Sequence, residues 1–337
     1  MLSELLETLC GLDGVSGRED AIRNFVISRL GGRPYTVDPL GNLIVEAKGK
    51  KPAKNRVMVT AHMDEVGIIA TFVREDGLIC FTPVGGVMPG VLTGRAVRFE
   101  NGVRGVIGLP PVHLCKPEEK KQLPDLKSLT VDIGCDSAEE AGKLVRPGDT
   151  AVFDVPFVKL GGRALSKAID DRAGVAVMLD MLEEGPAYDA VFCFNVQEEV
   201  GLRGAAASAY TAAPDYAIVL EATTAADLID TPPEKRVCEL GRGAAVSFMD
   251  RRTVYDKTLY DRAMALAAER GIPAQPKTAV AGGNDAGAIH VSRGGVKTLT
   301  LSLPCRYIHS PSGVCELKDL ESLRQLAGAM LAEFADG

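Results

Sequence analysis

No apolar run in this chain of 337 residues approaches the roughly 18 residues that a membrane helix needs. The first residues, Met1-Leu2-Ser3-Glu4, lack the basic stretch and following apolar segment of a secretory signal. Neither a membrane partner nor export is therefore expected. Long basic runs are also missing, and acids outnumber bases 45 to 38 for a formal charge of -7. Nucleic-acid binders neutralise phosphate with Lys and Arg, so nucleic acid is not an expected partner. The densest basic stretch, residues 116–127, carries Glu118, Glu119 and Asp125 among its lysines and reads as a solvated loop. The eight cysteines are scattered with no Cys-x-x-Cys pair, which excludes a disulfide scaffold and points to reduced thiols in a cytoplasm. No internal repeat is present. With 46% apolar and 25% charged residues, disorder and coiled coil are excluded, and the length suggests two domains.

What is present is an alternation of textures. Leu2, Leu5, Leu6 and Leu9 recur at helical spacing, and Ser16 followed by Glu19 forms a capping-box signature before Ile22, Phe25, Val26 and Leu30. Two amphipathic helices are predicted there. Residues 42–46 and 57–61 read as strands, the second apolar enough for the inside of a sheet. From about residue 72 to 162, short β-rich runs such as 96–99 and 105–108 alternate with Gly and Pro turns, as in a small barrel or sandwich. Strand and helix alternation then returns: strands at 190–196 and 216–220, helices at 173–182, 255–270 and 317–334. An α/β domain of residues 1–71 and 163–337, interrupted by an inserted β-rich domain of residues 72–162, is the expected organisation.

Chemistry-bearing residues gather at strand ends. His62 and Asp64 follow the strand 57–61, and residues two apart in an extended chain face the same way. A carboxylate beside an imidazole fixes its tautomer and raises its basicity as a metal ligand; a surface histidine beside a turn acid would also account for this pair alone. Asp170-Asp171 precedes an apolar helix, where an N-cap explains one acid and leaves the other free to bridge cations. Glu198-Glu199 closes the strand 190–196, and adjacent acids there are costly unless paired or coordinating metal. Glu221 ends the strand 216–220, and His309 follows the strand-like run 299–304. His62, Asp170, Glu199, Glu221 and His309 together offer two imidazoles and three carboxylates. Such a set suits two divalent cations, Zn²⁺, Co²⁺ or Mn²⁺, sharing one carboxylate, with Glu198 as general base.

These segments resemble the tetrahedral metallo-aminopeptidase family, which includes glutamyl and deblocking aminopeptidases. The resemblance rests on Ala61-His62-Met63-Asp64-Glu65-Val66-Gly67, Ile169-Asp170-Asp171-Arg172-Ala173-Gly174, Gln197-Glu198-Glu199-Val200-Gly201-Leu202-Arg203-Gly204-Ala205, Gly282-Gly283-Asn284-Asp285-Ala286 and Arg306-Tyr307-Ile308-His309-Ser310-Pro311. It implies an α/β fold: a mixed-sheet, zinc-peptidase-like catalytic domain of αβα layers with an inserted β-barrel-like dimerisation domain. It further implies that Asp170 bridges two metals, that Asp64 orients His62, and that the peptide bond between Asp170 and Asp171 is cis. The implied partners are peptides with a free N-terminus and further copies of the chain, from dimer to dodecamer. Glu221 stands where the family usually has Asp, Gly313 where it often has Glu, and Lys297 where it often has Pro. A related dinuclear deacylase or carboxypeptidase, or a metal-binding paralogue without activity, is the alternative.

Overall fold

The computed structural model describes residues 2–109, 113 and 122–337. An eleven-stranded mixed sheet carries the larger unit, with a closed six-stranded barrel beside it. Four parallel neighbours form the sheet's centre, in the order Ala190–Asn195, Val57–His62, Tyr216–Thr224 and Lys297–Arg306. Antiparallel strands flank them: Leu43–Ala47 and then Tyr35–Val37 on one side, Gly313–Glu316, Arg163–Ser166 and Val158–Leu160 on the other. Ala244–Ser247 and Ala274–Lys277 form a branch off Lys297–Arg306.

Both faces of the central strands are apolar, so alternate residues feed two cores. Val57, Val59, Ile218 and Leu220 pack in the larger core with the helices Leu2–Gly11, Ile169–Glu184 and Leu317–Asp336. Met58, Val191, Ala217 and Val219 face the other way, against Ala205, Ala209 and Ala212 of the helix Arg203–Ala212. The expected αβα layering is thus present, and the parallel centre brings several strand C-termini to one edge, where ligands bind in open α/β sheets.

The barrel runs Gly67–Val73, Ile79–Val84, Thr130–Asp132, Arg104–Gly108, Ala96–Phe99 and Thr150–Phe153, closing on itself around Ile68, Ile79, Phe99, Val131 and Phe153. Its first strand crosses the expected boundary at residues 71 and 72, because the chain passes from the turn after His62 straight into barrel pairing. Val158–Leu160, placed in the insertion on texture, pairs with Arg163–Ser166 in the large sheet. Cys115 and residues 116–121 of the basic stretch lie outside the described residues, and Lys127 is exposed. Seven free thiols are present among the described residues. No helix among them is long and apolar enough to cross a membrane.

Candidate metal centre

The strand Val57–His62 delivers His62 at its end, 2% exposed. Nε2 of His62 lies 3.3 Å from Oδ1 of Asp170 and 3.5 Å from Oε1 of Glu221. The second oxygen of Asp170 lies 3.4 Å from Nε2 of His309, which is 3.3 Å from Oε2 of Glu199. One carboxylate thus faces two imidazoles, each with a further carboxylate beside it. The peptide bond between Asp170 and Asp171 is cis. Glu221 sits within the strand Tyr216–Thr224, not at the end expected at residue 220, since pairing with Lys297–Arg306 continues to Thr224. Its carboxylate also accepts a hydrogen bond from the amide of Ala222 at 3.0 Å, a local anchor for the extra methylene.

Asp64 holds the inner imidazole. Nδ1 of His62 lies 3.1 Å from the Asp64 carbonyl and 3.4 Å from Oδ1 of its carboxylate. That carboxylate in turn accepts from the hydroxyl of Ser16 at 2.6 Å and from the amides of Glu198 and Glu199 at 3.0 and 3.1 Å. The capping box expected at Ser16 and Glu19 does not form. The helix starts at Asp20 without a side-chain cap, and Glu19 accepts instead from the amides of Gly17 and Gln197. Both residues are drawn to the site because buried acceptors and amides there need partners more than an exposed helix start does.

Gln197 has φ 56°, a turn out of the strand that separates the next two acids. Glu199 reaches His309, whereas Glu198 lines a cleft of about 500 Å³ with Asp170, Glu221, Asn284 and Lys277. Burial pushes Glu198 well above the usual carboxylate range, and the charges of Glu221, Asp285 and Glu199 add to it. Burial, with the charge of Asp170 added, pushes Glu199 and Glu221 up to about 8. Burial works against a charged His309, but Asp170 and Glu199 outweigh it and lift the imidazole to about 9. Asp170 is also disfavoured by burial, yet His309 and His62 hold its carboxyl below the ordinary range. Acid crowded against acid, with protons filling in for missing positive charge, is the pattern that a divalent cation relieves.

Donor groups fit such ions. His62, Asp170 and Glu199 offer ligand atoms within 4.8 Å of one another, and so do His62, Asp171 and Glu221. Oδ2 of buried Asp171 has no hydrogen-bond partner, while Oδ1 accepts from the amide of Gly174 at 2.9 Å. The N-cap expected of one of the two acids is thus filled by Asp171, with its second oxygen left over. No role follows from the sequence for Asp285, buried and held by Asn195 at 2.8 Å, or for Lys277. Lys277 is 4% exposed, lines the cleft, and makes no side-chain hydrogen bond or ion pair with any described residue. Asp171 and Asp285 stand in segments that carry the resemblance, whereas only tertiary proximity marks Lys277.

An αβα mixed sheet with paired imidazoles and carboxylates at its C-terminal edge has the donor groups of a metal-dependent hydrolase. Residues 41–326 match the M42 glutamyl aminopeptidase family. The chain belongs to that family and is a peptidase. It is 34% identical to the lysyl aminopeptidase of Pyrococcus furiosus, with 98% of this chain and 96% of that one covered. An aminopeptidase from the archaeon Desulfurococcus kamchatkensis superposes with a TM-score of 0.93 at 36% identity, covering 98% of this chain and 94% of that one. The TET1 peptidase of Pyrococcus horikoshii, which can assemble into a tetrahedron or a large octahedral shell, superposes with a TM-score of 0.86 at 35% identity, over 98% and 99% of the two chains.

Proposed function

We propose that this aminopeptidase works with two cations and removes residues from the free N-terminus of short peptides. Its carrying observation is Asp170, whose two oxygens lie 3.3 and 3.4 Å from two different imidazoles. Asp170 would be shared, with His62 and Glu221 on one side and Glu199 and His309 on the other. Imidazole and carboxylate donors suit zinc or cobalt, with manganese next. When bound, the pair supplies Lewis acidity for the scissile carbonyl and lowers the pKa of the attacking water.

The chain's own residues do the rest. Asp64 holds the tautomer of His62. Glu198, free of the imidazoles and open to the cleft, takes the proton from water and returns it to the departing amine. The positive charge of bound cations would offset the burial and the like charges around Glu198 and lower its pKa toward the range of a base. The α-amine of the first residue enters the same cleft. Lys277, buried there without an ionic partner, supports an acidic side chain on that residue. Exposed Phe72 and Val106 on barrel strands support self-association through the insertion, and scattered thiols support a cytoplasmic setting.

The test is a panel of aminoacyl p-nitroanilides and N-acetylated controls, run on metal-stripped protein refilled with Zn²⁺, Co²⁺ or Mn²⁺. Release only from free-amine substrates, fastest with a glutamyl group, is expected. Glu198→Gln should lose ~10²–10⁴-fold in turnover while calorimetry still counts two cations. Near-normal rates in that variant would remove Glu198 from the mechanism, and cleavage of acetylated substrates would favour a deacylase.

A further inference from the structure

Where the barrel meets the metal centre, it does so with two consecutive glycines. Gly85 and Gly86 follow the strand Ile79–Val84, whose last residue pairs with Gly67. The amide of Val87 donates back to the Gly85 carbonyl at 3.1 Å, and Leu92 lies buried in the barrel core. The loop is thus tied to the barrel at both ends. A Cβ on Gly85 would lie 2.7 Å from Cγ1 of Val66 and 3.3 Å from Cβ of Glu199. One on Gly86 would lie 3.2 Å from Nδ1 of His309 and 3.7 Å from its Cε1. Glu199 and His309, the two donors of the outer side, therefore each stand beside one glycine of the insertion.

The two glycines have different causes. Gly85 has φ 84°, a left-handed conformation that glycine enters without steric cost. Gly86 lies outside that region and is exposed, so neither backbone nor core packing asks for glycine there. The space beside His309 does. Nε2 of that imidazole faces Asp170 and Glu199, and bare backbone meets its Nδ1 side. A ligating imidazole needs its ring orientation held and its other nitrogen free to hydrogen-bond; a side chain at residue 86 would push the ring and cover Nδ1. We infer that Gly86 is a positioning residue for the cation on the side of Glu199 and His309: the insertion supplies the wall behind the outer imidazole, and the ring is seated only while that wall carries no side chain. This rests on the two-cation reading above.

Metal-stripped wild type, Gly86→Ala, Gly86→Val, His309→Ala and the double variant Gly86→Val with His309→Ala are titrated with Zn²⁺ by calorimetry and with Co²⁺ by visible absorption, with melting curves to confirm folding. His309→Ala marks the binding step that belongs to the outer side. Gly86→Val should weaken that step about 10–100-fold, the range for a change just behind a metal ligand, and leave the other step in place. Gly86→Ala should shift it the same way by less, and it answers if the valine variant fails to fold. Added to His309→Ala, Gly86→Val should change nothing further, since the group it acts on is gone. Gly142→Ala, on the insertion's helix Ala138–Leu144 where a Cβ meets no described residue within 4 Å, should leave both steps as in the wild type. Both steps weakened together, or neither moved in folded Gly86 variants, overturns the inference while the two-cation reading stands. A wild type that takes fewer than two cations overturns that reading and this inference with it.

Discussion

His62 and His309 carry the same chemistry in opposite settings. His62 is 2% exposed at the end of a central parallel strand, and its Nδ1 is held by Asp64, which Ser16 and two backbone amides hold in turn. Below it, Glu65 accepts from Lys167 at 2.7 Å and Arg172 at 3.1 Å, all three buried. Arg172 also donates to the Met63 carbonyl, between His62 and Asp64, and to that of Leu9. His309, with its side chain 36% exposed, comes from the segment after Lys297–Arg306, with φ 60° at Tyr307 and 55° at His309 itself. Among the described residues its Nδ1 has no hydrogen-bond partner. The inner imidazole is thus fixed by the core, whereas the outer one is reached by solvent and lines the cleft. A site that must hold ions and admit peptides has placed its rigidity on one side and its access on the other.

Breaking the inner support should be the costliest change. Arg172→Met leaves Glu65 with Lys167 but takes its second buried cation and the donor shared by the Met63 and Leu9 carbonyls, a loss of about 3 kcal/mol. Arg306→Met, three residues before the outer imidazole in sequence, breaks a bidentate pair with the largely buried Asp227 and should cost less, about 1–2 kcal/mol. Urea titrations of the metal-stripped variants compare the two, and equal losses would mean that the sides are built alike. A middle-sized effect is expected from Asp64→Asn, which takes the carboxylate from behind His62. Cation affinity or activity should fall about 10–100-fold, read by competition with a coloured chelator, with the fold retained; unchanged affinity would detach Asp64 from the metal side.

The last effect lies in pH, where solvent screens His309 but not the buried Glu199 and Glu221. His309, raised to about 9, stabilises the metal-stripped protein fully below its ordinary pKa near 6.5 and loses that contribution as pH rises through 9. Glu199 and Glu221, raised to about 8, act in the same direction, since the folded state holds protons that the unfolded chain has released above about 4.5. Melting temperature should therefore decline from about pH 5 to 9 without metal, and saturating Zn²⁺ should flatten the slope. A slope of opposite sign would contradict the proton count of the centre.

Much of this was legible in the chain. Residues 57–61 read as a buried strand because every position is apolar or small, and the structure extends that strand only to His62. The insertion announced itself by short runs between turns. Ser16 and Glu19 misled, because a capping signature describes local competition for helix amides, while a buried carboxylate 48 residues away from Ser16 in sequence was the stronger claimant. Glu221 was placed at a strand end for want of its partner strand, whose register alone carries pairing to Thr224. Lys277 was invisible, since a lysine in a short strand has no pattern until the cleft around it exists.

By itself, then, the sequence determined the layer architecture, the presence of a β insertion and the residue types available for cations, because these follow from periodicity and from acids and histidines set beside apolar strands. The tertiary structure decided that Asp170 and Glu198, already marked in the chain, meet the two imidazoles and the cleft, and that Asp171, Asp285 and Lys277 stand beside them. These are distances between segments far apart in sequence, and no local pattern encodes them.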